Sequence, residues 1–264
     1  MTIVRAMPEL LRIGLAGMVA YRAELLIWIL TATLPLVMLA LWDAVAADGP
    51  VAGLGQAELA RYFAITLIVR QVTGAWVVWS LNWEIRAGTL SAKLLRPVHP
   101  LWVSAAETAA AVPLRLLVLV PLVGALVAWR PELVAWPGAS WFLLGCASAA
   151  LAAALAFLVQ AFFGILSFWL DQSMGLFGLW FSLWAVCSGY VAPLAVFPEA
   201  ARHALDLLPF KAMLGTPVEL FAGQLTGPDA LWAVAVQAGW VVVAFGLVAF
   251  TWARGVRRYG AFGA

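Results

Sequence analysis

The sequence predicts an all-α membrane protein with six transmembrane helices and both termini on the cytoplasmic side, and three observations carry that expectation. Apolar residues make up 65% of the chain and charged residues 11%, whereas a soluble domain carries about 25% charged residues. Much of the apolar surplus must therefore face lipid. The apolar residues fall in long runs separated by short polar or Gly/Pro-rich segments, and a helix needs about 20 such residues to cross a bilayer. The basic residues are unevenly divided between the two sets of loops those runs define.

One membrane domain is expected over residues 1–264. Residues 1–23 carry Arg5, Glu9 and Arg12 at helical spacing beside Leu10, Leu11 and Ile13, the pattern of a helix lying in the membrane interface or of a plain polar leader. The first span is expected at 25–47 and is read as retained, because its apolar run is longer than a signal-peptide core. A Gly- and Pro-containing loop follows from Asp48 to Gln56. Further spans are expected at 59–80, 104–129, 139–165, 174–195 and 230–252. Between the second and third lies a polar stretch, 82–100, and Pro131 with Pro137 turns the chain between the third and fourth. Residues 196–228 break the pattern. Glu199, Arg202, His203 and Asp206 share one helical face there, with Leu205, Leu207 and Leu208 opposite, so this segment should lie at the interface. Thr216, Pro217 and Gly223 are expected as cap, first-turn proline and terminator of a second short helix.

With both termini inside, the inner side holds Arg5, Arg12, Arg22, Arg86, Lys93, Arg96, Arg254, Arg257 and Arg258, against Arg61, Arg130, Arg202 and Lys211 outside. That asymmetry satisfies the positive-inside rule. Trp79, Trp83, Trp102, Trp129, Trp136, Trp141, Trp232 and Trp252 fall at or near span ends, as an aromatic belt requires.

Several chemistries are disfavoured. A phosphate-binding loop needs Gly-Lys-Ser or Gly-Lys-Thr, but Lys93 follows Ala92 and Lys211 follows Phe210. ATP hydrolysis by that mechanism is therefore not expected in this chain. His99 and His203 fall on opposite sides of the expected membrane, and no Gly-x-Ser-x-Gly element exists. Cys146 and Cys187 each sit in an apolar run far from any His, which speaks against a metal centre or a disulfide framework. A net charge of +2 without a basic patch speaks against nucleic acid.

Two places carry candidate functional residues. Arg70 and Arg115 stand inside the second and third spans, where each charge costs about 2.5–3.5 kcal/mol on insertion scales and usually faces a cavity, a partner or an ion path. They could line a path attractive to an anionic group. Equally, Arg115 could pair with Glu107, two turns nearer the cytoplasm, or both could snorkel. In the 82–100 stretch, Leu90, Leu94 and Leu95 form an apolar stripe beside Glu84, Arg86, Lys93 and Arg96. Such a segment docks a soluble partner, or lies on lipid head groups.

At this stretch the sequence resembles the permease subunits of ABC-2 type exporters, in the subfamily called ABC-2 family transporter proteins. The matching stretches are Glu84-Ile85-Arg86-Ala87-Gly88-Thr89-Leu90 leading to Leu94-Leu95-Arg96-Pro97; Phe168-Trp169; Gly189-Tyr190-Val191-Ala192-Pro193-Leu194 with Phe197-Pro198; Leu208-Pro209-Phe210; and Arg258-Tyr259-Gly260-Ala261-Phe262-Gly263. They occur in the family's order over residues 80–264. The resemblance implies a six-span permease of the bacterial cytoplasmic membrane that pairs with itself or a sister permease and binds two copies of a separate ATPase. ATP and Mg would be held by that partner, with no cofactor in this chain. It implies that residues 1–23 are an elbow helix and that Glu84, Ile85, Arg86, Gly88, Leu90, Leu94 and Arg96 belong to a coupling helix. It also implies an extracellular re-entrant pair around 190–228, with Gly189, Pro193, Phe197, Pro198, Pro209 and Phe210 at the outer gate. An interface so poor in polar residues fits a lipid or a drug-like natural product. The rival readings are an ATP-independent channel, a secondary carrier or a membrane anchor. A carrier should show internal repeats, and none is clear between 1–130 and 131–264.

Overall fold

The computed structural model describes residues 33–134 and 136–259. The helix expected at 1–23, the start of the first span and Gly260-Ala261-Phe262-Gly263 lie outside the described residues. Eleven α-helices and short 3-10 turns make up the described architecture, without a β-strand among those residues. They are α1 (Thr33–Val45), α2 (Gln56–Thr73), α3 (Val77–Arg86), α4 (Leu90–Leu94), α5 (Pro100–Trp129), α6 (Ala139–Ile165), α7 (Ser173–Cys187), α8 (Glu199–Leu207), α9 (Pro209–Ala212), α10 (Gly215–Phe221) and α11 (Gly227–Tyr259).

Among the described residues, four segments are long and apolar enough to cross a membrane: Gln56–Arg86, Pro100–Trp129, Ala139–Phe168 and Gly227–Tyr259. All four overlap expected spans, but their ends run further. Asn82 to Arg86 continues a helix that the sequence reading ends at Ser80. Likewise α5 starts at Pro100, where proline at the first position needs no hydrogen-bonded N–H and His99 caps the turn. Glu84 and Arg86 therefore ride on the end of α3 and Lys93 on α4, whereas Arg96 lies in the bend that follows α4. The segment expected as a fifth span, 174–195, is shorter than anticipated, because α7 has 15 residues. At 1.5 Å per residue it reaches only about 22 Å, less than the roughly 30 Å hydrocarbon core. Its end is forced by Gly189, which adopts a left-handed φ of +88°.

α6 is the hub, packing against α2, α3, α7, α10 and α11. Its buried face is mostly small: Gly145, Ser148, Ala149, Ala152, Ala156, Ala161 and Gly164. Small residues let backbones approach closely where no hydrophobic effect drives helices together. At Gly145 a Cβ would stand 2.8 Å from the Phe221 ring, and at Gly164 2.9 Å from Leu81 Cβ. Gln237 of α11 fastens the same face, donating from Nε2 to the carbonyls of Ser148 (3.0 Å) and Ala212 (2.7 Å) while its Oε1 accepts from Ser148 Oγ (2.9 Å). By contrast α5 packs mainly on α2.

The predicted second short helix is present as α10, closed by Gly223 at φ +71°. Thr216 is not its cap: the helix starts one residue earlier, and Thr216 is buried within it. The tryptophans expected in the belt are mostly exposed, Trp83, Trp129, Trp136 and Trp232 most of all. Trp252 differs, at 8% exposure, because Phe168 and His99 pack on its ring.

Candidate functional site

The polar residues after α3 converge on one end of the bundle. Glu84 and Lys93 form an ion pair at 2.6 Å that staples the end of α3 to α4. Gly88 makes the turn between them with φ +75°. The apolar stripe read as one face is divided. Leu90 is fully buried in a cluster with Leu81, Ile85, Ile165, Phe168 and Trp252, and Leu94 packs at its edge. Leu95 is 88% exposed, and Arg96 beside it is exposed as well. Arg86 reaches Asp171 at 3.7 Å, an exposed and therefore weak pair. Asn82 donates to Ser167 Oγ and Ser173 Oγ at 2.8 and 2.9 Å, tying α3 to the start of α7. The far end of α11 closes the same cluster, since at Gly255 a Cβ would meet Phe168 Cδ2 at 2.2 Å.

Arg70 and Arg115 each stand near the middle of a span, and the fold brings them together at a helix break. Residues Gly74 to Trp76 leave the helical conformation, separating α2 from α3. The carbonyls at the end of α2 lose their intrahelical partners there, and in lipid they need others. Arg115, 4% exposed, supplies them: its Nη1 donates to Gly74 O at 2.6 Å and Gln71 O at 3.4 Å. The positive group also meets the negative end of the α2 dipole. A side chain at Gly74 would displace this guanidinium, since a Cβ would come within 2.9 Å of Arg115 Nη1 and 3.3 Å of Arg70 O. Arg70 points elsewhere, with its guanidinium carbon 5.2 Å from the Trp184 ring centroid and 5.8 Å from that of Tyr190. Among the described residues Arg70 forms no ion pair. Glu107, expected as a partner for Arg115, is exposed on α5, while Arg115 turns to the main chain.

The stretch with Gly189, Pro193, Phe197, Pro198, Pro209 and Phe210 sits at the opposite end and is cross-tied to three helices. Tyr62 of α2 donates its hydroxyl hydrogen to Gly189 O at 2.9 Å, and Trp42 of α1 donates to Val191 O at 2.9 Å. Phe210 stacks on Trp180 of α7 with centroids 4.8 Å apart. Pro193 precedes a 3-10 turn, Phe197 ends that turn, Pro198 caps α8 and Pro209 opens α9. Lys211 bridges Asp206 (2.7 Å) and Glu219 (3.0 Å), joining α8 to α10. Asp43 and Arg130 pair through both carboxylate oxygens nearby, the Nη2 arm at 2.7 Å.

Cavities accompany these features, among them one of about 400 Å³ beside Asp206, Lys211 and Glu219. Another of about 660 Å³ separates α5 from α6 and α11, lined by Trp102, Ala105, Ala109, Ala153, Phe157 and Phe245 among others. A third, of about 20 Å³, lies beside Arg70 and is lined by Thr73, Gln160, Trp180 and Trp184. The sequence reading missed those four. Their signal is Thr73 one turn from Arg70 on α2 and Gln160 as a lone amide in an apolar run.

Spans of this length, an aromatic belt and guanidiniums at mid-span define a multi-pass helical membrane protein. The chain belongs to the ABC-2 transporter family: the family model described as "ABC-2 family transporter protein" matches residues 50–263. Members of that family are generally non-catalytic membrane subunits that work with an ABC ATPase. No curated protein matches the chain.

Proposed function

We propose that this chain is the permease subunit of an ATP-binding-cassette exporter, moving a hydrophobic or amphiphilic molecule, a lipid or a drug-like natural product, out of the cytoplasm. Six spans cross the bacterial inner membrane, residues 1–23 form the elbow helix, and the end bearing Arg86, Lys93 and Arg96 faces the cytoplasm. Two copies of a separate ATPase, which holds ATP and Mg, serve a pair of permeases: two copies of this chain, or this chain and a sister subunit.

The observation that carries the reading is the divided burial around α4. Leu90 is locked into the cluster where α3, α6 and α11 meet, while Leu95 and Arg96 project from it. A partner gripping Leu95 and Arg96 holds a handle whose root is set in three helices. The Glu84 to Lys93 pair stiffens that handle. When ATP binding draws the ATPases together, the handle moves and the packed helices rock. At the far end, the ties from Tyr62, Trp42 and Trp180 to the Gly189–Phe210 stretch support an outer gate that those helices pull upon. The apolar cleft beside α5 falls within the roughly 300–1,000 Å³ typical of small-molecule pockets, which supports an apolar or amphiphilic cargo.

The test is co-purification with a candidate ATPase. Leu95→Asp or Arg96→Glu is expected to weaken association about tenfold with no loss of thermal stability. If residues 84–96 are scrambled and the ATPase still co-purifies, the reading fails. A cysteine at position 93 labelled from outside intact cells would overturn the orientation.

A further inference from the structure

The small cavity at the helix break has an unusual lining for the interior of a membrane bundle. Among the described residues, Thr73 Oγ1, Trp180 Nε1, Trp184 Nε1 and Gln160 Oε1 all lack a hydrogen-bond partner, and all four residues line this one cavity together with Arg70. Three of those residues are nearly inaccessible: Thr73 at 3% exposure, Trp184 at 4% and Gln160 at 9%. Buried polar atoms normally find partners, and lipid offers none. The groups present are a cation, two indole N–H donors, a hydroxyl and an amide whose two ends interchange by a flip. Among the described residues no Asp or Glu lines the cavity.

Arg70 and Arg115 divide the labour. Arg115 is committed to the α2 carbonyls, and its charge repels any cation that would approach Arg70. Arg70 is half-buried and rests on the faces of Trp184 and Tyr190. A cation held on aromatic faces without a carboxylate retains donors for an oxyanion. The free space is about 20 Å³, room for one water-sized group, so a single oxygen enters while the rest of the molecule stays outside. Phe177 and Phe181 in the lining give that remainder an apolar surface.

We propose that Arg70, Thr73, Trp180, Trp184 and Gln160 form an intramembrane oxyanion subsite, which receives one oxygen of a carboxylate or phosphate carried on an apolar body. This rests on the permease reading and sharpens it: the cargo is an anionic amphiphile. The oxyanion has two sources, a bilayer lipid head group or a separate amphiphile, and the test separates them.

The experiment uses the full chain in nanodiscs of phosphatidylcholine, titrated with decanoate, decyl phosphate and decanol while tryptophan fluorescence is followed. A parallel arm replaces part of the lipid by phosphatidylglycerol. Wild type is expected to bind the two anions about tenfold more tightly than decanol. Arg70→Gln should erase that preference. Trp184→Phe, which removes one N–H and keeps a ring, should weaken the anions severalfold and leave decanol unchanged. Arg61→Gln, at the other end of α2, should retain the preference. If phosphatidylglycerol competes with decanoate, the lipid head group is an occupant; if it does not, the site is reserved for a separate amphiphile. Where Arg70→Gln fails to fold, Arg70→Lys and Thr73→Val are read instead, each with a reduced preference. Equal binding of decanoate and decanol to wild type, or an unchanged preference in these variants, would mean that the cavity holds only a water and would overturn the proposal. Loss of ATPase association with anion preference intact would sink the permease reading and not the subsite.

Discussion

Arg115 donates to the carbonyl of Gly74 at 2.6 Å, and thereby one span caps the interrupted helix of its neighbour at mid-membrane. A charged donor to a carbonyl contributes about 1.5–3 kcal/mol, and here two carbonyls depend on it. Arg115→Met is expected to lower unfolding free energy by about 2–3 kcal/mol, measured by denaturant titration in mixed micelles. Gly74→Ala should destabilise in the same direction, because the new methyl crowds the guanidinium.

Gly189 is fixed by two constraints at once. Its φ is +88°, and a Cβ there would lie 2.1 Å from the Tyr62 hydroxyl oxygen. Gly189→Ala is therefore expected to cost about 2 kcal/mol or more, read as a lower melting temperature. Tyr62→Phe, which removes only the 2.9 Å hydrogen bond, should cost about 1 kcal/mol.

Leu90, at the start of α4, and Leu95, just past its end, should respond differently to mutation. Leu90→Ala removes a fully buried side chain and is expected to lose about 2–5 kcal/mol of stability. Leu95→Ala should leave the melting temperature unchanged and affect only partner binding, measured by ATPase pull-down.

His99 couples the start of α5 to pH. Its Nδ1 accepts from the Leu101 N–H at 3.2 Å, which requires that nitrogen to be unprotonated, and desolvation holds its pKa below the ordinary 6.5. The folded state thus resists protonation while the unfolded chain accepts it. Stability is present above the unfolded pKa and is lost as pH falls from about 6.5 toward the lower folded value. Melting temperature should drop over that window in wild type. His99→Asn, which keeps a cap without a titrating group, should flatten the profile.

Hydropathy made the long spans legible, because a bilayer-length apolar run has few other fates. The break at Gly74 was not legible, since a lone glycine in an apolar helix reads as tolerated. Nor was the role of Arg115: side-chain reasoning offered Glu107, but the acceptors are backbone carbonyls that exist only because the helix breaks. The 82–100 stretch stands out in the sequence by its charge and leucines, but nothing in the spacing distinguishes Leu90, which is inside, from Leu95, which is outside. Trp252 resembles a belt residue in sequence and lies in the core because Phe168 packs edge-on against its ring. The lining of the small cavity comes from α2, α6 and α7 with Met213 from the stretch after α9, elements far apart in sequence that only the packing around α6 assembles.

α5 leans chiefly on α2, so among the described residues the slot on its other flank is walled on one side only by the α6 and α11 pair. An apolar slot between bilayer-length helices is expected to admit hydrocarbon tails. Any guest must evict them, so its apparent affinity will track acyl length and saturation, and values taken in detergent will differ from those in a membrane.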